Sequence, residues 1–363
     1  MENIMASGPL VGIKIIEFAG LGPGPFAGML LSDLGAEVIE IAREGSAPPP
    51  PHRGDARGRK RICLNLKTPE AVETCLKLIE RADIVFEGNR PGVMERLGLG
   101  PDVMLARNPA LVYGRMTGWG QYGPLAQAAG HDINYLAITG LLHAIGPAER
   151  PVPPLNLAAD YGGGAMFLVV GMLAAFINAR ATGKGQVVDA AMTDCATYLG
   201  SLFHNFLAAG AWEDKREANL LDGGAPFYGT YECADGGFIA IGSIEPQFYQ
   251  LLLDKTDAAD RLPHRQMDRK HWPEMRETLR EVILTKTRDE WCALMEGTDV
   301  CFAPVLTLAE AQHHPHQVER QVFINVGGTA QVAPVPRFSA TPGAVQWPPA
   351  ERVWTADEIL ATW

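Results

Sequence analysis

A chain of 363 residues exceeds what one ordinary hydrophobic core organises, so two domains are expected. With 47% hydrophobic and 20% charged residues it is globular, and a net charge of −11 argues against a nucleic-acid or anionic-membrane partner, which needs a basic footprint. Six cysteines far apart, at 63, 75, 195, 233, 292 and 301, with no Cys-x-x-Cys pair and no leader, suit reduced thiols in a cytoplasmic protein better than disulfides or a zinc site.

In chain order, Ile13 to Ala19 reads as a buried strand, Gly20 to Pro25 as a turn, Phe26 to Leu34 as an apolar helix ending at Gly35, and Val38 to Ala42 as a second strand. That is the opening of an α/β sheet. A dinucleotide fingerprint with Glu40 as the ribose acid is not supported, because Pro25 stands where its third glycine belongs. Arg43 follows the second strand. A proline-rich loop, Ala47 to Pro51, then leads into a basic stretch with Arg53, Arg57, Arg59, Lys60 and Arg61. Cations crowded beside strand ends fit a bound polyanion, but for a charge run alone a solvated surface loop is the plainer reading.

Ile62 to Leu66 reads as a third strand. Thr68 and Pro69 are placed as cap and first residue of an amphipathic helix. Ile84 to Glu87 is a fourth strand with Gly88 to Gly92 at its C-terminal end, where ligands of open α/β sheets sit, which makes Arg90 a second candidate for a ligand's polar part. Leu111 to Met116 is a fifth strand, leading through the glycine-rich loop Thr117 to Gln121 toward His131.

Gly130-His131-Asp132-Ile133-Asn134-Tyr135 puts an imidazole where an apolar helix begins, and Asp160 precedes Gly162 to Gly164, which open another helix. Two proton-transfer groups at two helix starts make an active-site geometry. A helix N-terminus is expected to hold Asp160 ionised, and the backbone N–H at or just after Asp160 to receive a developing oxyanion. Read singly, Asp160 is also a possible cap and His131 a possible core residue.

Farther on, the apolar run Ala165 to Ile177 falls short of the roughly 20 residues of a membrane span and is expected as a buried helix, and the plainer reading of Met166 and Met192 is core packing. Gly185 to Met192 reads as a strand. Ala225 to Tyr231 and Gly237 to Ile241 read as a hairpin, Trp272 to Leu284 and Arg288 to Met295 as helices, and Val332 to Pro348 as an extended return segment. His313, His314 and His316 sit on a proline-broken loop without a second ligand set, so no metal site is expected. Met1 to Gly8 reads as an extension outside the fold.

These residues also carry a resemblance. LVGIKIIEF at 10–18, the GPGP turn at 22–25, DLGAEVI at 33–39, RKRICLNLK at 59–67 and NRPGVMERLGLG at 89–100 resemble the class III CoA-transferase (CaiB/BaiF) family, while GHDINY at 130–135 and DYGGG at 160–164 resemble its α-methylacyl-CoA racemase branch. The resemblance runs from about Pro9 to the C-terminus. It implies a large Rossmann-like α/β domain over 1–190, completed by 330–363, with a helical linker over 191–224, a small α+β domain over 225–315, a return linker over 316–329, and two chains interlocked as a homodimer.

It further implies a cofactor-independent isomerase that inverts C2 of 2-methylacyl-CoA thioesters through an enolate, coenzyme A being part of the substrate. His131 and Asp160 correspond to the acid/base pair and Glu245 to the carboxylate that supports the histidine. Arg43, Leu64, Asn65, Leu66, Lys67, Arg90, Gly130 and Tyr135 match positions that contact the CoA or the acyl thioester, with the stretch Arg57 to Arg61 the natural place for phosphates. The alternative within the family is a CoA transferase with Asp160 as nucleophile; a non-catalytic acyl-CoA binder is the third reading.

Overall fold

In a computed structural model of the chain, the described residues are 7–50, 53–262, 265–349 and 352–363. The expected N-terminal extension lies outside them as far as residue 6, as does Pro51 of the proline-rich loop. Ser7 and Gly8 belong to the fold: the Ser7 hydroxyl donates to the Pro342 carbonyl at 2.7 Å, and Gly8 packs against Leu34.

The chain divides into two compact units. Unit 1 comprises Met1–Thr139, Pro154–Gly200 and Arg320–Trp363, and unit 2 comprises Gly140–Pro153 and Ser201–Glu319. Residues 140–153, assigned by sequence to the first domain, thus group with the second, and 191–200, assigned to the linker, group with the first.

Unit 1 is built on a parallel sheet. Its strands are β1 (Lys14–Phe18), β2 (Glu37–Arg43), β3 (Arg59–Leu64), β4 (Ile84–Glu87), β5 (Val112–Thr117) and β6 (Gln186–Ala191), joined at the edge by the short strand Val353–Trp354. The spatial order is Val353–Trp354, β3, β2, β1, β4, β5, β6. Parallel strands buried on both faces read as continuous apolar runs, which is why β1, β4 and β5 stand out in the sequence. Their core includes Ile16, Ile39, Val85 and Tyr113. The order reverses between β1 and β4, and the crevice beyond the carboxyl ends of the strands at such a switch point is where open α/β sheets bind ligands.

Helix α1 (Pro23–Asp33) starts three residues before the expected Phe26, because prolines at the first turn of a helix lose no hydrogen bond. Helix α2 (Pro69–Ile79) begins as expected, with Thr68 as cap and Pro69 at its start. Helix α3 (Asp132–Ala137) has His131 as N-cap. The next helix opens earlier than its glycine run, as a π-helix over Leu157–Met166 that continues into α4 (Phe167–Thr182). The glycines serve packing instead: a Cβ on Gly163 would lie 2.9 Å from the Ala196 amide, and one on Gly164 3.0 Å from the Met192 side chain, both on α5 (Met192–Leu199).

The expectation of a short, buried apolar helix is corrected here. The helical stretch Leu157–Thr182 has 26 residues, long and apolar enough by composition to cross a membrane, and 44% of its most apolar window is buried. The rest includes exposed Met166, Val170 and Ile177, so Met166 is not core.

Unit 2 pairs the antiparallel strands Tyr228–Glu232 and Phe238–Gly242 with a third, Phe302–Val305. The helices Pro246–Lys255, Trp272–Ile283 and Arg288–Met295 supply its core around Phe227, Leu252, Met275 and Trp291.

Candidate active site

A cleft of about 610 Å³ opens in unit 1 at the switch point of the sheet. Its walls are the turn after β1 (Gly20 to Gly24), the loop after β4 (Gly88 to Pro91), the loop after β5 (Thr117 to Trp119), and then Gly130, His131, Tyr135, Asp160 and Met192. His131, Asp160, Gly130, Tyr135 and Arg90 are thereby brought to one site.

His131 is exposed at the head of α3, where its backbone N–H donates to Asn134 Oδ1 at 3.1 Å. The loop leading to it is clamped by Tyr135, whose hydroxyl donates to the Gly130 carbonyl. The Tyr135 ring lies so close under the loop that a Cβ on Gly118 would come within 2.0 Å of it and one on Gly130 within 2.7 Å, and Trp119 meets it edge-on at 4.8 Å between centroids. Gly118 and Gly130 are therefore required to be glycine. Burial raises the Tyr135 pKa above the ordinary phenol value, so this hydroxyl stays protonated and donating.

Asp160 sits in the first turn of the π-helix rather than ahead of it. Its pKa is raised, not depressed as a helix N-terminus led us to expect. Burial is the largest cause and the neighbouring Asp132 adds to it, against a 3.4 Å hydrogen bond from Asn156 and the pull of His131. The turn after β1 lies over the carboxyl: Gly22, held at φ 65°, is close enough that a Cβ there would meet Asp160 Oδ2 at 3.2 Å.

The expected oxyanion donors are also corrected. The Asp160 N–H is taken by Asp132 Oδ2 at 2.7 Å, and the Tyr161 N–H donates to the Asn156 carbonyl at 3.3 Å. The π-helix and the Asp132 carboxylate consume the amides that sequence reasoning left free.

The basic stretch is not a phosphate loop. Its residues 59–61 belong to β3, and each cation from 57 to 61 has an internal carboxylate: Arg57 with Asp33 at 2.5 Å, Arg59 with Glu17 at 2.5 Å, Lys60 with Glu37 at 2.6 Å and Arg61 with Glu40 at 2.7 Å. Arg57 also donates to Gln331 Oε1 at 2.9 Å on the returning segment. Glu40 is accordingly no ribose ligand.

Arg43 and Arg90 are exposed and form no ion pair among the described residues. Arg43 is level with Leu64 across the β2–β3 pair. Leu66 and Lys67 line a separate, shallower depression of about 580 Å³ with Thr68 and Arg96, and Asn65 shapes it by accepting the Lys67 N–H at 3.3 Å. Glu245 belongs to unit 2, exposed as the N-cap of the helix Pro246–Lys255. Among the described residues no three His, Cys, Asp or Glu side chains are grouped to hold a metal ion.

Sequence reasoning missed Asp132 and Asn156. An acid at the first position of a helix was the only signal for Asp132, and its acceptor role toward amides 27 and 28 residues away has no local signature.

A parallel sheet with a cleft at its switch point is the frame of the site, and by sequence the chain belongs to CoA-transferase family III, whose model residues 10–351 match. Within that family it is 45% identical to the α-methylacyl-CoA racemase of Mus musculus over 92% of this chain and 87% of that protein. It is likewise 45% identical to the Homo sapiens α-methylacyl-CoA racemase over 87% and 82%. A crystal structure of a CaiB/BaiF family protein from Brucella suis superposes with a TM-score of 0.82 at 25% identity, covering 98% of this chain and 99% of that one.

Proposed function

We infer that this protein is an α-methylacyl-CoA racemase that inverts C2 of 2-methylacyl-CoA thioesters by 1,1-proton transfer. The observation that carries the reading is the meeting of His131 and Asp160 in one cleft, from the starts of two different helices. One removes the α-proton to leave an enolate, and the other delivers a proton to the opposite face. Asp160, its proton affinity raised by burial, is suited to give a proton back as well as to take one, as a group serving both directions must be. The similarity to racemases from mouse and human supports the same reaction.

Arg43, Arg90 and Lys67 are the cations we assign to the polar part of the CoA, since none has a carboxylate partner among the described residues. Coenzyme A is then part of the substrate, and the proton transfer uses no further cofactor. The open apolar side chains Val170, Ile177 and Tyr198, at 61%, 70% and 70% exposure, support association of two chains, which we assign to an interlocked homodimer.

The test is proton NMR of a single 2-methylacyl-CoA epimer incubated with the protein in deuterated water. Loss of the α-proton signal with appearance of the other epimer is expected. An unchanged α-proton together with ping-pong exchange of CoA onto a free carboxylic acid would establish instead a transferase with Asp160 as nucleophile, the second reading that the family allows.

A further inference from the structure

We propose that Asp132 is a positioning residue for both proton-transfer groups, a buried carboxylate that fixes Asp160 through its backbone and tunes it through its charge. The inference rests on the acid/base reading of His131 and Asp160 given above.

Three observations carry it. Asp132 is only 6% exposed, and its Oδ2 accepts from two amides of the π-helix, Ala159 at 2.9 Å and Asp160 at 2.7 Å. First-turn amides have no acceptor within their own helix, so Asp132 caps the π-helix from another element. Asp132 is also the residue next to His131, at the first position of the helix His131 caps. One side chain therefore ties the imidazole's helix to the carboxyl's helix and sets their separation.

The third observation concerns charge. Asp132 Oδ1 is buried and has no hydrogen-bond partner among the described residues. Leaving such an atom bare costs about 1–3 kcal/mol, and a neutral side-chain oxygen would satisfy the same two amides. The second oxygen does nothing for the cap, so the role left to it is the field of a negative charge beside Asp160. That field raises the proton affinity of Asp160, in the same direction as burial. The groups facing Asp160 are Asp132, His131 and Tyr135 from α3 and its cap, Asn156 from its own helix, and the Gly22 backbone from the turn after β1. Asp132 is the one among them that carries like charge.

The experiment compares wild type with Asp132→Asn and Asp132→Glu, following α-proton exchange in deuterated water from each C2 epimer separately across pH. Asp132→Asn, whose amide oxygen can still accept from both N–H groups, should retain its fold, whereas Asp132→Glu, which shifts the accepting oxygen, should lose turnover by up to about 10²-fold, the scale of a misplaced catalytic group. For the epimer whose proton Asp160 removes, the acid limb of the profile should move to lower pH, because Asp160 loses a like-charged neighbour; for the other epimer, to which Asp160 delivers a proton, the alkaline limb should move to lower pH. Asp132→Glu, which keeps the charge, should keep the acid limb near wild type while losing rate. If Asp132→Asn lowers thermal stability and leaves both limbs in place, Asp132 is a structural cap and the proposal is overturned. Should Asp132→Asn not fold, Asp132→Ser, shorter and neutral, carries the same comparison. If the wild type exchanges neither epimer, the racemase reading has failed rather than this one. Carbon-13 NMR titration of Asp160, assigned by its loss in Asp160→Asn, then decides: a lower titration point in the Asp132 variant supports the coupling, and an unmoved one overturns it.

Discussion

Two sets of charged side chains in unit 1 look alike in the sequence and behave oppositely in the fold. On β3 and just before it, Arg57, Arg59, Lys60 and Arg61 each meet a carboxylate, and the side chains of the first two pairs are almost wholly buried, at 3% exposure or 1%. By contrast, Arg90 at the cleft and Arg43 at the end of β2 are exposed and form no ion pair among the described residues, and Asp160 and His131 open on the same space as Arg90. A run of cations is thus a poor pointer to an anion site. What decides it is whether the packed neighbours supply acids: Glu17 meets Arg59 from β1 and Glu40 stands opposite Arg61 on β2, while Arg43 at the end of β2 faces Leu64. The paired set holds the sheet together, and the unpaired set is the one we assign to a ligand.

The difference is breakable by substitution. The largest effect is expected in the open set: His131→Ala and Asp160→Ala should each lower epimer inversion by about 10²- to 10⁴-fold, measured by NMR, with the thermal unfolding midpoint little changed. Next comes the paired set. Arg59→Ala leaves Glu17 as a buried carboxylate without its counterion and should cost about 3–5 kcal/mol of stability in denaturant unfolding, whereas Arg59→Met combined with Glu17→Leu should recover most of the loss.

Arg90→Ala and Arg43→Ala should raise KM by about 10-fold or more, the worth of one hydrogen bond to a charged group, and leave stability within about 0.5 kcal/mol. Lys60→Ala should do neither to KM. If Lys60→Ala weakened substrate binding as much as Arg90→Ala, the division between the two sets would be wrong.

The smallest effect is a pH dependence. Burial pushes Glu17 up to about 7 from 4.5, despite Arg59. The folded protein therefore holds a proton that the unfolded chain has released, so this contribution to stability is present below pH 4.5 and fades as pH rises through about 7. Glu17→Gln should flatten the unfolding midpoint against pH over that interval, which thermal scans in a buffer series would show.

Most of unit 1 can be read from the chain because parallel strands are continuous apolar runs punctuated by turn residues. β1, β4 and β5 fall within a residue or two of their expected positions, and His131 stands where the helix signal put it. The sheet edge was harder. β3 begins at Arg59 rather than Ile62 because its first residues are cations whose burial depends on acids from β1 and β2, and no local pattern announces that. The strands Phe302–Val305 and Phe323–Val326 are only four residues long and carry too little periodicity to show. At the site, residue types were readable and environments were not. The π-helix around Asp160 depends on close packing of Gly163 and Gly164 against α5, and the amides it seemed to offer are closed by Asp132 from another element. These are contacts between segments far apart in the chain.

The most direct test of the central claim follows deuterium into each epimer separately with the two single variants. If His131 and Asp160 serve opposite faces of C2, each variant should still exchange the α-proton of one epimer, with retention and without inversion, and the two variants should spare opposite epimers. If both variants lost exchange with both epimers, or both spared the same one, the two-base account would be contradicted.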